Sequence, residues 1–181
     1  MFTVFQTSLA GLIRLEPRSF SDHRGTFVKT YHDRAFRELD LPFESREEFY
    51  STSHKNVVRG MHFQAPPVAH AKLVYCVTGA VLDVVLDLRR QSPTYGRACA
   101  EELSETNRRS LFIPPGFAHG FLALTEGALM VYKTSTVHDP ACDQGIHWQS
   151  FGFDWPLAGA APILSQRDQE LPALADFNSP F

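Results

Sequence analysis

Short runs in which apolar and polar residues alternate, broken every few positions by Gly, Pro, Asn or Asp, recur along most of the chain. Val, Phe, Tyr and Thr dominate these runs, and such residues fit a pleated, half-buried surface. The pattern predicts strands over 12–16, 25–31, 49–54, 57–64, 72–78, 80–88, 98–103, 110–113, 120–124 and 128–134. Helical spacing is confined to 33–39, where Ala35, Phe36 and Leu39 fall on one side, and to a turn at 165–170. In that turn Ser165 is placed to cap and Asp168 suits the first turn. Many evenly spaced strands with almost no helix predict an all-β antiparallel sandwich or barrel. No internal repeat, low-complexity tract or linker divides the sequence, so residues 1–181 are expected to form one domain, with the Pro-rich tail lying across its body.

Alternation also sorts side chains. Val58, Gly60, His62 and Gln64 are expected on one face of their strand, and Lys72, Val74 and Cys76 on one face of the next. Met130, Tyr132 and Thr134 share a face later in the chain. A His, a Lys and a Tyr can therefore project into one barrel lumen.

Composition narrows the class. A hydrophobic fraction of 44% and 15 Phe exclude a disordered chain. A net charge of −3 provides no global basic field for nucleic acid or an anionic membrane. Three scattered cysteines (Cys76, Cys99 and Cys142) suit a reducing compartment better than a disulfide framework. The apolar N-terminus lacks a basic flank and is broken by Arg14 and Glu16, so it reads as strand rather than signal peptide. The expectation is a soluble, cytoplasmic protein with neither nucleic acid nor membrane as partner.

Within this weakly acidic chain, the stretch RGMHFQAPPVAHAKLVYCVTG places an Arg, two His and a Lys among strand formers and includes no acid. Three chemistries compete for it. His62, His70 and His119 invite a metal in a jelly roll, and Pro114-Pro115-Gly116-Phe117-Ala118-His119 matches half of a known ligand pattern. The other half, a His-x-His pair with a Glu soon after, is missing, and the next acid is Asp83. Nucleic-acid binding needs a basic stripe, and none is present. Acid–base chemistry beside a carbonyl fits a His that titrates near neutrality, a Lys for developing negative charge and a Tyr as second proton carrier. The same residues also fit a hydrogen-bonded core His, a snorkelling Lys and a packing Tyr. Local pattern leaves both readings open.

The segments DHRGTF, VVRGMHFQ, AKLVYCVTGAVLDVVLDLRRQSPTYG, LFIPPGFAHGFLAL, VYKTS and SQRD occur in this order. Together they closely resemble the dTDP-4-dehydrorhamnose 3,5-epimerase family of nucleotide-sugar enzymes. The resemblance implies a cupin-like jelly-roll barrel, a homodimer, no metal or cofactor, and an NDP-4-keto-6-deoxyhexose substrate epimerised at C3, C5 or both. By position it implies that His62 is the general base, Asp168 the acid that hydrogen-bonds it, Lys72 the cation beside the C4 oxygen, and Tyr132 the acid on the opposite face. It further implies that His119 contacts substrate and that Arg24, Arg59 and Arg167 hold the diphosphate. Ser51, His138 and Asp143 complete the implied substrate positions.

The chain departs from the family pattern where the base of the nucleotide would sit. Lys29 stands for a glutamate in RGTFVK, and residues 49–53 replace a Gln-Asp-Asn stretch. His138 stands for a stacking tyrosine and His70 for a glutamine. A Lys donates where a carboxylate accepts. Cytosine presents an N3 acceptor, so a CDP-sugar 5-epimerase of 3,6-dideoxyhexose synthesis is one alternative. A cupin-fold sugar 3,4-ketoisomerase is another, although that class uses paired histidines.

Overall fold

The computed structural model describes residues 1–181. Strands β1 (Phe2–Gln6), β2 (Ile13–Pro17), β10 (Ser110–Ile113), β7 (Lys72–Thr78), β12 (Ala128–Thr134) and β5 (Glu47–Ser53) form one sheet, in the order β1-β2-β10-β7-β12-β5. Strands β13 (Asp143–Gly145), β6 (Val58–Gln64), β11 (Phe117–Ala123), β8 (Ala80–Asp87) and β9 (Ala98–Ser104) form a second, in the order β13-β6-β11-β8-β9. A separate hairpin joins β3 (Ser19–Asp22) to β4 (Gly25–Val28). Every pairing between strands is antiparallel. The two helices are α1 (Asp33–Glu38) and α2 (Gln166–Gln169), and Ser165 caps α2 by accepting from the Asp168 amide. No helix is long and apolar enough to cross a membrane.

Three apolar clusters explain why these strands hold this arrangement. Val74, Cys76, Val85, Phe121, Met130 and Tyr132 pack together in the largest. Alternate residues of the same strands face the opposite way. Met61, Phe63, Val84 and Leu86 meet Trp148, Trp155, Phe177 and Phe181 of the C-terminal third. Leu15, Leu73 and Phe112 meet Phe36 of α1 and Phe43 beyond it. Strands covered on both faces read as nearly continuous apolar runs, as VLDVVLDL does.

One alternation expected from the sequence fails. Val58 packs with Met61 and Phe63, away from His62, while Arg59 joins His62 in lining a cavity. The pairing of β6 with β11 slips by one residue, from His119↔His62 to Phe121↔Arg59. Gly60 and Gly120 sit at that slip with their backbones in close approach. A Cβ on Gly60 would lie 2.6 Å from the Gly120 Cα, and one on Gly120 would lie 2.6 Å from the Arg59 carbonyl. Only glycine fits at either position. The slip turns Arg59 to the cavity side without moving His62 from it.

Boundaries moved where pairing overrode propensity. β11 begins at Phe117, not at residue 120, because Gly116 takes the left-handed turn (φ +95°) and frees the next residues to pair with β8. The strand expected over 25–31 ends at Val28. β3 and β13 lie outside the expected strands.

Candidate active site

A cavity of about 370 Å³ opens between the two sheets. His62 and His119 reach it from β6 and β11 of one sheet, at directly paired positions. Lys72 and Tyr132 reach it from β7 and β12 of the other, and Asp168 enters from α2. Period-2 alternation thus places two pairs of polar side chains on opposing walls of one cavity.

His62 Nε2 and Asp168 Oδ1 are 2.6 Å apart. Asp168 is buried, and its other oxygen accepts from the Gly60 amide at 3.3 Å. Burial alone would raise its pKa. The His62 hydrogen bond and charge, with the Gly60 and Ser165 contacts, outweigh burial and hold the carboxyl below its ordinary range. Asp168 is therefore a fixed anion that orients the His62 ring.

Lys72 Nζ donates to the His62 carbonyl at 3.0 Å. Burial pushes its amine down from 10.5 to about 8, against the opposing pull of Asp143 and Asp83. On the same wall as Lys72, the Tyr132 hydroxyl lies 3.2 Å from Ser51 Oγ. Its ring stacks on Phe49 at 4.8 Å and 13°. Burial raises the phenol pKa, so Tyr132 keeps its proton at neutral pH. Both partners come from edge strand β5, paired so that Tyr132 lies opposite Phe49 and Met130 opposite Ser51.

His119 Nε2 contacts Asp83 Oδ2 at 2.8 Å, with both side chains buried. Burial lowers the His119 pKa and raises that of Asp83, which favours a pair without net charge. Asp143 accepts from Arg167 at 2.9 Å and contacts His138 at 3.2 Å. Glu47 accepts from the His138 amide at 2.7 Å. Arg59 donates to Ser53 and to the Thr52 carbonyl.

Ser51, Arg59, His62, Lys72, His119, Tyr132, His138, Asp143, Arg167 and Asp168 all line this one cavity. Arg24 and Lys29 do not. Arg24 sits in the turn of the β3–β4 hairpin, exposed and paired with Asp22, and Lys29 is exposed just past β4. Glu47 and Phe49 were not singled out from the sequence. Phe49 lies on the same β5 face as Ser51, so alternation from Ser51 was a signal that would have found both. In the sequence Asp83 stands out only as an acid too far along to complete the metal pattern, whereas its position beside His119 depends on the pairing of β8 with β11. No group of three or more His, Cys, Asp or Glu is arranged to hold a metal ion.

Comparison with known proteins points one way. The profile of the dTDP-4-dehydrorhamnose 3,5-epimerase family matches residues 6–176. A dTDP-4-dehydrorhamnose 3,5-epimerase of Salmonella typhimurium is 40% identical over 177 residues, covering 96% of this chain and 96% of that protein. A Bacillus anthracis enzyme of the same description, solved with TDP and PPi bound, superposes with a TM-score of 0.92 at 35% identity, covering 96% of this chain and 100% of that one. A Legionella pneumophila dTDP-6-deoxy-D-glucose-3,5-epimerase, solved with dTDP-4-keto-L-rhamnose, gives 0.94 at 32% identity, covering 98% and 95%.

The burial of Lys72 makes a prediction that needs no substrate. In an NMR titration of selectively labelled lysines, one amine absent from Lys72→Met should titrate at about 8. A Lys72 amine titrating at its ordinary 10.5 would contradict the desolvated site.

Proposed function

Because the chain belongs to the dTDP-4-dehydrorhamnose 3,5-epimerase family and is an isomerase of that kind, we propose that His62 and Tyr132 exchange protons with a dTDP-4-keto-6-deoxyhexose held between them. The observation that carries this reading is the opposition of two proton carriers across one cavity. His62, backed by a buried carboxylate, faces from one sheet, and the protonated Tyr132 faces from the other. Inversion at carbon requires removal from one face and delivery to the other, and these two walls provide both.

The chemistry follows from the carbonyl. A C4 keto group acidifies the hydrogens on C3 and C5. His62 takes one of them and becomes an imidazolium, stabilised by Asp168. The C–H electron pair moves into an enolate, and the Lys72 ammonium faces the C4 oxygen where that charge collects. Tyr132 then gives its proton to the opposite face of the carbon. His62 returns its proton to solvent, and the tyrosinate is reprotonated through the Ser51 hydroxyl beside it. No step changes oxidation state.

Around this core, His119 contacts the sugar, and Arg59 and Arg167 serve the diphosphate. Arg167 must share itself with Asp143. Ser51, His138 and Asp143 line the remainder of the path to the base. The cytosine alternative rested on Lys29, which lies outside the cavity of its own chain. The relatives solved with TDP and with dTDP-4-keto-L-rhamnose support the thymidine nucleotide.

Arg24 and Lys29 reach a cavity only if a second copy brings them. The β3–β4 hairpin exposes Phe20 and Phe27 (52% and 60%), and edge strand β5 exposes Tyr50 at 70%. A homodimer in which each hairpin covers the partner's cavity would bury these side chains and deliver Arg24 to the diphosphate.

The direct experiment is NMR of dTDP-4-keto-6-deoxyglucose in deuterium oxide. Wild type should incorporate deuterium at C3 and C5 and yield inverted product. His62→Ala should lose at least the ~10²–10⁴-fold typical of acid–base catalysis. Tyr132→Phe should still exchange C5 with solvent yet yield little inversion. Equal loss of exchange and inversion in Tyr132→Phe would reduce Tyr132 to a positioning group.

The dimer is tested by complementation. Arg24→Ala and His62→Ala, each impaired alone, should recover activity when unfolded together and refolded as a mixture. A mixed dimer then holds one site with both native residues. Additive activity with no recovery would contradict delivery of Arg24 by the partner copy.

A further inference from the structure

Tyr132 lies close to the rim of its sheet. Only β5 stands between β12 and the sheet edge, and the β5 residue directly opposite Tyr132 is Phe49. The two rings are nearly parallel, tilted by 13° with centroids 4.8 Å apart, so Phe49 covers one face of the phenol. Tyr132 is 8% exposed and Phe49 46%, so of the two stacked rings Phe49 is the one that meets solvent. Both line the cavity.

Stacking supplies what the other contacts of Tyr132 do not. Rotation about the bond that carries a tyrosine ring is broad and roughly two-fold, so the plane of the ring is set by its neighbours. Ser51 meets the hydroxyl oxygen at 3.2 Å, but that oxygen lies on the rotation axis, so the contact fixes its place and not the tilt of the ring. His119 approaches at 6.1 Å and 68°, a distant edge contact. A parallel ring at stacking distance fixes the plane directly. A phenol O–H prefers to lie in the plane of its ring, so the same plane directs the proton.

We propose that Phe49 is a positioning residue for proton delivery, its stacked ring setting the plane of Tyr132 and keeping solvent from that face of the phenol. The inference rests on the reading of Tyr132 as proton donor and adds the residue that aims it. Phe49 carries no proton and takes no part in abstraction, which belongs to His62 and Asp168. Its loss therefore changes the fate of the enolate rather than its formation. With Tyr132 poorly aimed, the enolate more often takes a deuteron back from His62 that has exchanged with solvent. The sugar then returns labelled but not inverted.

The test reads a partition. Early in a reaction of dTDP-4-keto-6-deoxyglucose in deuterium oxide, NMR counts sugar labelled at C5 without inversion against C5-inverted product. Phe49→Ala should raise that ratio by roughly ten-fold, the order of one lost aromatic pair. Phe49→Tyr, which keeps the stack, should hold the wild-type ratio. Both species come from one preparation, so the ratio is insensitive to the folded fraction. In the Tyr132→Phe background, Phe49→Ala should add nothing, because no hydroxyl is left to aim. An unchanged ratio in Phe49→Ala, an equal further shift in the Tyr132→Phe background, or a Phe49→Tyr enzyme that partitions like Phe49→Ala overturns the assignment. A Tyr132→Phe enzyme that inverts C5 as wild type does overturns the reading of Tyr132 as donor, and the Phe49 assignment with it.

Discussion

The hydrogen bond between His62 and Asp168 ties two distant parts of the chain together, and the site depends on it. His62 belongs to β6, while Asp168 sits in a four-residue helix near the C-terminus. A carboxylate buried as deeply as Asp168 would be costly without partners, by several kcal/mol for an isolated ion. His62, the Gly60 amide and the Ser165 cap all converge on it. The tail must therefore be held against β6, and apolar packing does this. Leu171 lies so close to Gly145 of β13 that a Cβ there would approach it to 2.7 Å. Phe177 and Phe181 meet Phe63 edge-on behind His62. The tail thus carries the carboxylate that meets His62 and covers the outer face of the sheet that positions that histidine.

The second constraint is the space between two sheets. Proton removal and delivery on opposite faces of one carbon need groups that approach from opposite sides. A single strand or loop cannot offer that, but two packed sheets can, because each turns alternate residues toward the other. Burial between the sheets favours action through fixed charges and hydrogen bonds. It also desolvates Lys72 and Tyr132, lowering the pKa of one and raising that of the other. Both shifts follow from one packing arrangement.

Much of this could be read from the sequence. Alternating runs gave the strands that pair deepest in the sheets, including Lys72–Thr78, Ser110–Ile113 and Ala128–Thr134 to the residue. Ser165 before Gln-Arg-Asp gave the short helix and its cap. The motif residues of RGMHFQ, AKLVY, VYKTS and SQRD converge on one cavity. What stayed hidden depends on tertiary pairing. β13, Asp-Gln-Gly, has no strand-forming residue and is a strand only because β6 pairs with it. Val58 and Arg59 changed faces because β6 slips against β11, which no single strand encodes. Asp83 pairs with His119 only through the register of β8. Arg24 and Lys29 lie outside the cavity of their own chain, a separation that the local sequence does not encode.

The central claim is that Asp168 makes His62 the base. It is tested most directly by following solvent-deuterium exchange at C3 and C5 in Asp168→Asn, with dTDP affinity measured alongside. Asn keeps the shape but removes the charge that supports the imidazolium. The account predicts that exchange at both carbons falls together, by about 10²-fold or more, while dTDP binds as before. Exchange at near wild-type rates in that variant would contradict it.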